Sequence, residues 1–219
     1  KLGHIASTPR HRFHQKYFVP IFNGWLIIFM VVLSSALMVL SAKVITAGLT
    51  LSLLVAMHIL LVKFFGHRLS FFIQKECVIA LLYTAGVSFV PIALFQNTWQ
   101  FHYSLTVINV FILALINLLT FSLFENRFDQ NDSKTSFVRY FGPKKTKQTL
   151  AVLFAILFCI ALFNICTLDL KYLSLQLILN CMGFSLLLIF LRKIYFESNE
   201  RYRVLGDFIF MYPYVLLII

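Results

Sequence analysis

Acid is what this chain has least of. Eight Asp and Glu stand against 19 Lys and Arg, and charged residues together make up 12% of 219 positions. That scarcity, with 60% hydrophobic residues and a mean hydropathy of +0.87, excludes a soluble domain, whose surface needs far more polar cover. Cysteine is also sparse. Cys77, Cys159, Cys166 and Cys181 fall in apolar segments without disulfide or metal-ligand spacing, which excludes a disulfide scaffold and reads as small buried hydrophobes. Alternating strands of barrel length are missing, and so is any internal repeat, which argues against an outer-membrane barrel and a repeat transporter. The opening residues 1–10 lack the apolar core and cleavage site of a signal peptide. Because the first residue is Lys1 and not Met, the chain is expected to be a fragment of a longer protein.

What the chain does have is apolar runs. Roughly 20 apolar residues cross a bilayer core as a helix. Seven such spans are expected, at about 17–42, 44–65, 76–95, 104–124, 149–168, 172–191 and from 204 onward, the last carrying Asp207 and Pro213. The expected fold class is therefore all-α, a polytopic transmembrane helical bundle forming a single domain over 1–219. A basic segment, 1–16, precedes the first span, and 125–148 forms the longest polar loop, in which Gly142-Pro143-Lys144-Lys145 is a helix stop and restart signal. A net charge of +11 does not call for nucleic acid here, because in a membrane chain the distribution of Lys and Arg matters more than their sum. With seven spans, all of the Lys and Arg except Lys43 and Lys171 lie on one side. By the positive-inside rule that side is cytoplasmic, and it holds the start of the chain and the polar loop.

The scarce acids gather in that loop. If the fourth helix continues past the membrane, Glu125, Asp129 and Asp132 stand at i, i+4 and i+7 on one face. Three carboxylates so close need cations, protons or a metal beside them. Mg²⁺ prefers oxygen ligands and keeps waters that phosphate can replace, so an acidic face flanked by bases suits a metal-bridged diphosphate. The candidate bases are Arg10, Arg12, Arg68, Lys75, Arg127, Lys134 and Arg139, and Asn117 and Phe121 lie on the same face further into the bundle. A diphosphate mouth above an apolar bundle would suit a lipid diphosphate.

These residues resemble the UbiA superfamily of intramembrane prenyltransferases, which has nine transmembrane helices and two aspartate-rich motifs. Glu125-Asn126-Arg127-Phe128-Asp129 resembles the second motif, and Lys134-Thr135-Ser136 resembles the Lys-Ser or Thr-Ser that often follows it. Thr8-Pro9-Arg10-His11-Arg12-Phe13-His14 resembles the basic stretch after the first motif, Lys75-Glu76 the basic entry to helix five, and Tyr202-Arg203-Val204-Leu205-Gly206-Asp207 the start of the last helix. The resemblance implies helices three to nine of a nine-helix fold, with the first motif absent and Glu125 in place of an aspartate. It further implies Mg²⁺ as cofactor, Glu125 and Asp129 as catalytic residues, and Glu125, Asp129 and Asp132 as metal ligands. Arg10, Arg12, Lys75 and Lys134 would contact the diphosphate, with Asn117 and Phe121 lining the pocket. The implied activity of the full-length parent is transfer of an isoprenoid chain from a prenyl diphosphate donor to an aromatic or other lipophilic acceptor.

The residues alone leave a second reading open, a non-enzymatic membrane protein, either an inactive relative or a transporter, whose charged loops only set topology. In that reading the acids are a solvated helix end paired with neighbouring bases. Asp207 is expected to pair with Arg201 or Arg203 at the interface, and Asn117 to join helices.

Overall fold

The computed structural model describes residues 9–69, 75–94, 101–131, 136–167 and 170–217. Every regular element among them is helical: α1 (Pro9–Lys16), α2 (Phe18–Val39), α3 (Ala42–Leu69), α4 (Lys75–Leu94), α5 (Phe101–Asn131), α6 (Phe137–Thr167), α7 (Leu170–Leu191), α8 (Lys193–Glu197) and α9 (Arg201–Ile209), with 3-10 turns at Ser198–Glu200 and Tyr212–Leu217. Five helical stretches are long and apolar enough to cross a membrane: Phe18–Val39, Ala42–Val62, Phe101–Asn126, Phe137–Asn164 and Leu173–Leu191. The chain thus fits an integral membrane protein.

Burial is distributed unevenly among these helices. In α5, 61% of the apolar window is buried, whereas in α2 none of it is. α5 packs against α4, α6, α7 and α9. Its residues Ile112, Leu113, Ile116, Leu119, Leu123 and Phe124 meet Leu150 and Leu157 of α6 and Leu179, Met182, Leu186 and Ile189 of α7 in one hydrophobic core. α2 instead exposes its apolar side chains all round, and Phe18, Phe22, Trp25 and Phe29 stack along it with ring centroids 5.9, 6.4 and 5.3 Å apart. A helix apolar on every face is at home in lipid without a protein partner on each side.

Far from α9, the core holds a polar knot. Gln176 Oε1 on α7 accepts from Asn109 Nδ2 of α5 at 3.3 Å and from Asn164 Nδ2 of α6 at 2.9 Å, while Gln176 Nε2 donates to Thr106 Oγ1 at 3.2 Å. All three amides are buried. In an apolar interior such bonds fix the register of three helices, because sliding any one of them strands an amide.

Several expectations are corrected here. The polar stretch 125–148 is not one long loop: α5 runs on to Asn131 and helix resumes at Phe137. The Gly142-Pro143 signal does break the helix, since Gly142 takes φ 82°, ψ 159°, a backbone that favours glycine, and Pro143 restarts it where a missing N–H does no harm. From 204 onward there is no continuous crossing among the described residues. α9 is 9 residues long, about 14 Å and so roughly half a bilayer core, and a turn at 210–211 hands the chain to the 3-10 segment that contains Pro213. The cysteines are not core residues: Cys159, Cys166 and Cys181 are exposed on apolar helices and Cys77 is half-buried.

Candidate functional site

The continuation of α5 beyond its apolar stretch sets the site. Asn117, Phe121 and Glu125 recur every fourth residue and therefore share one face. α9 lies across that face, and it lies close because Gly206 has no side chain. A Cβ built there would stand 2.6 Å from the Phe121 ring and 2.7 Å from Asn117 Oδ1. One turn earlier on α9, Arg203 Nη2 meets Glu125 Oε1 at 2.6 Å.

Arg203 is the hub of this end of the bundle. Its Nε donates to the Tyr202 hydroxyl at 3.3 Å and lies 3.7 Å from Glu200 Oε2. Tyr202 stacks on Phe124 at 4.5 Å and 12°, meets Phe121 edge-on at 5.6 Å, and Lys193 Nζ sits 5.5 Å from the Phe124 ring centroid. Glu200 takes a left-handed backbone, φ 55° and ψ 30°, which costs about 1–2 kcal/mol for a residue with a Cβ and turns the chain from the 3-10 segment into α9. Burial pushes the Tyr202 phenol up to about 12. Burial pulls the Arg203 guanidinium down, but its hydrogen bond to Tyr202 and the charge of Glu125 outweigh that, and the net direction is upward. The guanidinium is therefore a permanent cation beside Glu125.

Of the residues expected at the site, Asn117, Phe121 and Glu125 are brought together as the spacing required. Asn117 is buried, with no hydrogen-bond partner for Oδ1 among the described residues, and it lies beneath Gly206. Asp129 lies one turn beyond Glu125 on α5, but its side chain is outside the described ones; Asp132 and Lys134 lie wholly outside the described residues. Arg10 and Arg12 are on α1, which packs on α2, and their side chains are likewise outside the described ones. Lys75 opens α4, beside Glu76, whose Oε1 accepts from the Phe137 amide at 2.9 Å, so the start of α4 is at the return end of the acidic segment. Asp207 is exposed and Arg203 pairs with Glu125 instead, because α9 turns that face of the helix toward α5.

Sequence reasoning missed Arg203 and Glu76 as site-shaping residues. In the sequence Arg203 offers itself only as a partner for Asp207 and as part of the Tyr202–Asp207 resemblance, and no spacing rule links it to α5. The donor set that Mg²⁺ prefers is present in kind, as carboxylate oxygens on successive turns of α5. One Glu125 oxygen is already engaged by Arg203. Among the described residues no group of three acids, histidines or cysteines is placed to hold a metal ion. No family model, curated protein or solved structure matches this chain.

Proposed function

We propose that this chain is the membrane bundle of a prenyltransferase similar to the UbiA superfamily, crossing the bilayer several times with its start and the acidic end of α5 on the cytoplasmic side. The observation that carries the reading is the α5 face itself: Asn117, Phe121 and Glu125 rise in line to the end of an apolar bundle, and Asp129 follows one turn on. The donor's diphosphate would sit at that end with its hydrocarbon chain among the helices, and a lipophilic acceptor would meet it there.

The residues fit Mg²⁺ as a pair of oxygen donors, Glu125 and Asp129, with Asp132 next along the chain. When bound, the ion neutralises phosphate charge on the leaving diphosphate. The chain's own residues do the rest. Arg203 orients Glu125 through their 2.6 Å ion pair, Lys75 brings a cation to the same end, and the apolar wall built by Phe121 and the bundle excludes water from a reacting allylic centre. No protein nucleophile is needed.

One observation favours the non-enzymatic reading. Glu125 is held by Arg203, and Gly206 closes tightly over Asn117 and Phe121, as in an ion pair that only fastens α9 to α5. The two readings separate in one experiment. The protein, expressed from its complete reading frame, is purified and titrated with geranylgeranyl diphosphate in Mg²⁺ and then in EDTA, alongside Asp129→Ala. Saturable, metal-dependent binding and turnover that Asp129→Ala abolishes, with insertion unchanged, is the expected result. Binding that ignores both metal and mutation, or no binding, leaves the structural ion pair as the account of Glu125.

A further inference from the structure

Cations crowd one end of the α6–α7 pair. A Cβ at Gly183 of α7 would lie 3.5 Å from Leu157 of α6, and further along, the Phe154 and Phe190 rings meet at 5.9 Å, so the two helices run antiparallel toward a shared end. Beyond that ring contact stand Lys144, Lys145 and Lys147, where α6 restarts after its break at Gly142, and Arg192 and Lys193, which follow the last residue of α7. Lys193 Nζ lies 5.5 Å from the Phe124 ring centroid, so this is also the end that carries Glu125. Lys193 is half-buried and the other four are exposed. Among the described residues none of the five is in an ion pair.

Little within the chain offsets this charge. Asp and Glu are missing from 136–168 and from 170–196, Glu197 is a single acid against five cations, and Glu200 already lies beside Arg203. Lysines at the start of a helix also oppose its dipole, whose positive end favours anions. Like charges gathered there repel one another until an anion joins them. The surface beside them is apolar. α8 leaves Ile194 91% and Tyr195 61% exposed, and the membrane-length stretch Leu173–Leu191 exposes Phe184, Leu188 and Leu191 along one face. Anionic charge at the cations and hydrocarbon along α7 belong to one kind of molecule, an acidic lipid.

We propose that this end of the α6–α7 pair is a docking surface for anionic phospholipids: Lys144, Lys145, Lys147, Arg192 and Lys193 attract the headgroup charge, while Ile194, Tyr195 and the exposed face of α7 lie among the acyl chains. A cluster of basic residues at the end of a membrane-spanning helix is the arrangement that gathers acidic headgroups. α8 then lies in the headgroup layer, which accounts for an isoleucine and a tyrosine left exposed between charged neighbours. The surface stands independently of the prenyl diphosphate reading, since it uses none of the residues assigned to that site.

The test uses the protein expressed from its complete reading frame, with Ile194→Trp in a background whose other tryptophans are replaced by phenylalanine, reconstituted in phosphatidylcholine vesicles. Dibrominated phosphatidylserine or dibrominated phosphatidylcholine is added at equal fractions, and quenching of the tryptophan at 194 tells which lipid sits beside it. A preference for the serine lipid of about fivefold is expected in about 0.1 M salt. It should fall close to unity in about 0.5 M salt, and also when Lys144→Gln, Lys145→Gln and Lys147→Gln are combined. Equal quenching by the two lipids, or quenching by neither, overturns the docking surface. A preference unmoved by salt or by the triple variant overturns the part given to the cations. A preference erased by inorganic phosphate at constant ionic strength overturns the lipid as occupant in favour of a soluble phosphate. Should the triple variant fail to fold, salt and phosphate decide the matter without it.

Discussion

Gly206→Ala puts the approach of α9 to α5 under direct strain. The added methyl would stand 2.6 Å from Phe121 Cε1 and Cζ and 2.7 Å from Asn117 Oδ1, where ordinary carbon contacts lie near 3.5–4.0 Å. Something must move by about 1 Å. Phe121 is held edge-on by Tyr202, and Asn117 is buried, so neither yields freely. A shift of α9 carries Arg203 with it, one turn away, and stretches the 2.6 Å pair with Glu125 to about 3.6 Å, beyond hydrogen-bond reach. Overfilling such a contact costs about 1–3 kcal/mol. For a chain of 219 residues, 2 kcal/mol lowers the melting midpoint by roughly 4–8 °C. Thermal unfolding in detergent, followed by tryptophan and tyrosine fluorescence, reads this shift. Crosslinking between cysteines placed at 203 and 125 reads the displacement itself, and must fall in the alanine background. Wild-type melting together with wild-type crosslinking would refute the idea that Gly206 sets this approach.

Two further outcomes follow from the same geometry. Gln176→Met keeps the shape of the side chain but strands the amides of Asn109 and Asn164. It should therefore cost about 1–3 kcal/mol in unfolding titrations, and equal stability would mean the knot carries no load. Tyr202 is held neutral by burial, pushed up to about 12 from an ordinary 10. Because its folded value is raised, its contribution is whole below pH 10 and is lost as pH rises through about 12. The tyrosinate absorbance difference between the protein and Tyr202→Phe should accordingly appear only above pH 11 or so, with melting falling over the same range, and titration near an ordinary tyrosine value would show that the phenol is not buried against Phe124.

What could be read from the sequence was whatever depends on neighbours along the chain. Apolar runs near bilayer length became helices, the repeat of Asn117, Phe121 and Glu125 put them on one face, and Gly142-Pro143 broke and restarted α6. What could not be read was whatever depends on residues far apart. The first amide of α6, at Phe137, is met by Glu76 of α4, 61 residues away along the chain. Asp207 lies next to the basic residues of its own helix, yet Arg203 turns to α5. The stretch from 204 misled for a different reason. It is apolar enough to suggest a crossing, but hydropathy is blind to the backbone break that follows Ile209, where α9 gives way to a turn and a 3-10 segment with Pro213.

The same distinction separates stability from function along α5. Its Thr106 and Asn109 belong to the Gln176 knot, and its Glu125 to the pair with Arg203, about 24 Å apart along one rigid helix. The knot joins α5, α6 and α7, which carry most of the core, to which α9 adds Tyr202 and Ile209. The Arg203 pair joins α9 to α5 at Glu125, and the Glu76 bond joins α4 to the start of α6 at Phe137. Losses at Gln176 should therefore appear as unfolding with unchanged affinity in whatever remains folded. On the proposed prenyl diphosphate reading, loss of Arg203 should weaken binding at the acidic end before the bundle fails. α5 carries both because the knot and the Arg203 pair sit near its opposite ends, with the buried apolar contacts of Leu113, Ile116 and Leu119 between them.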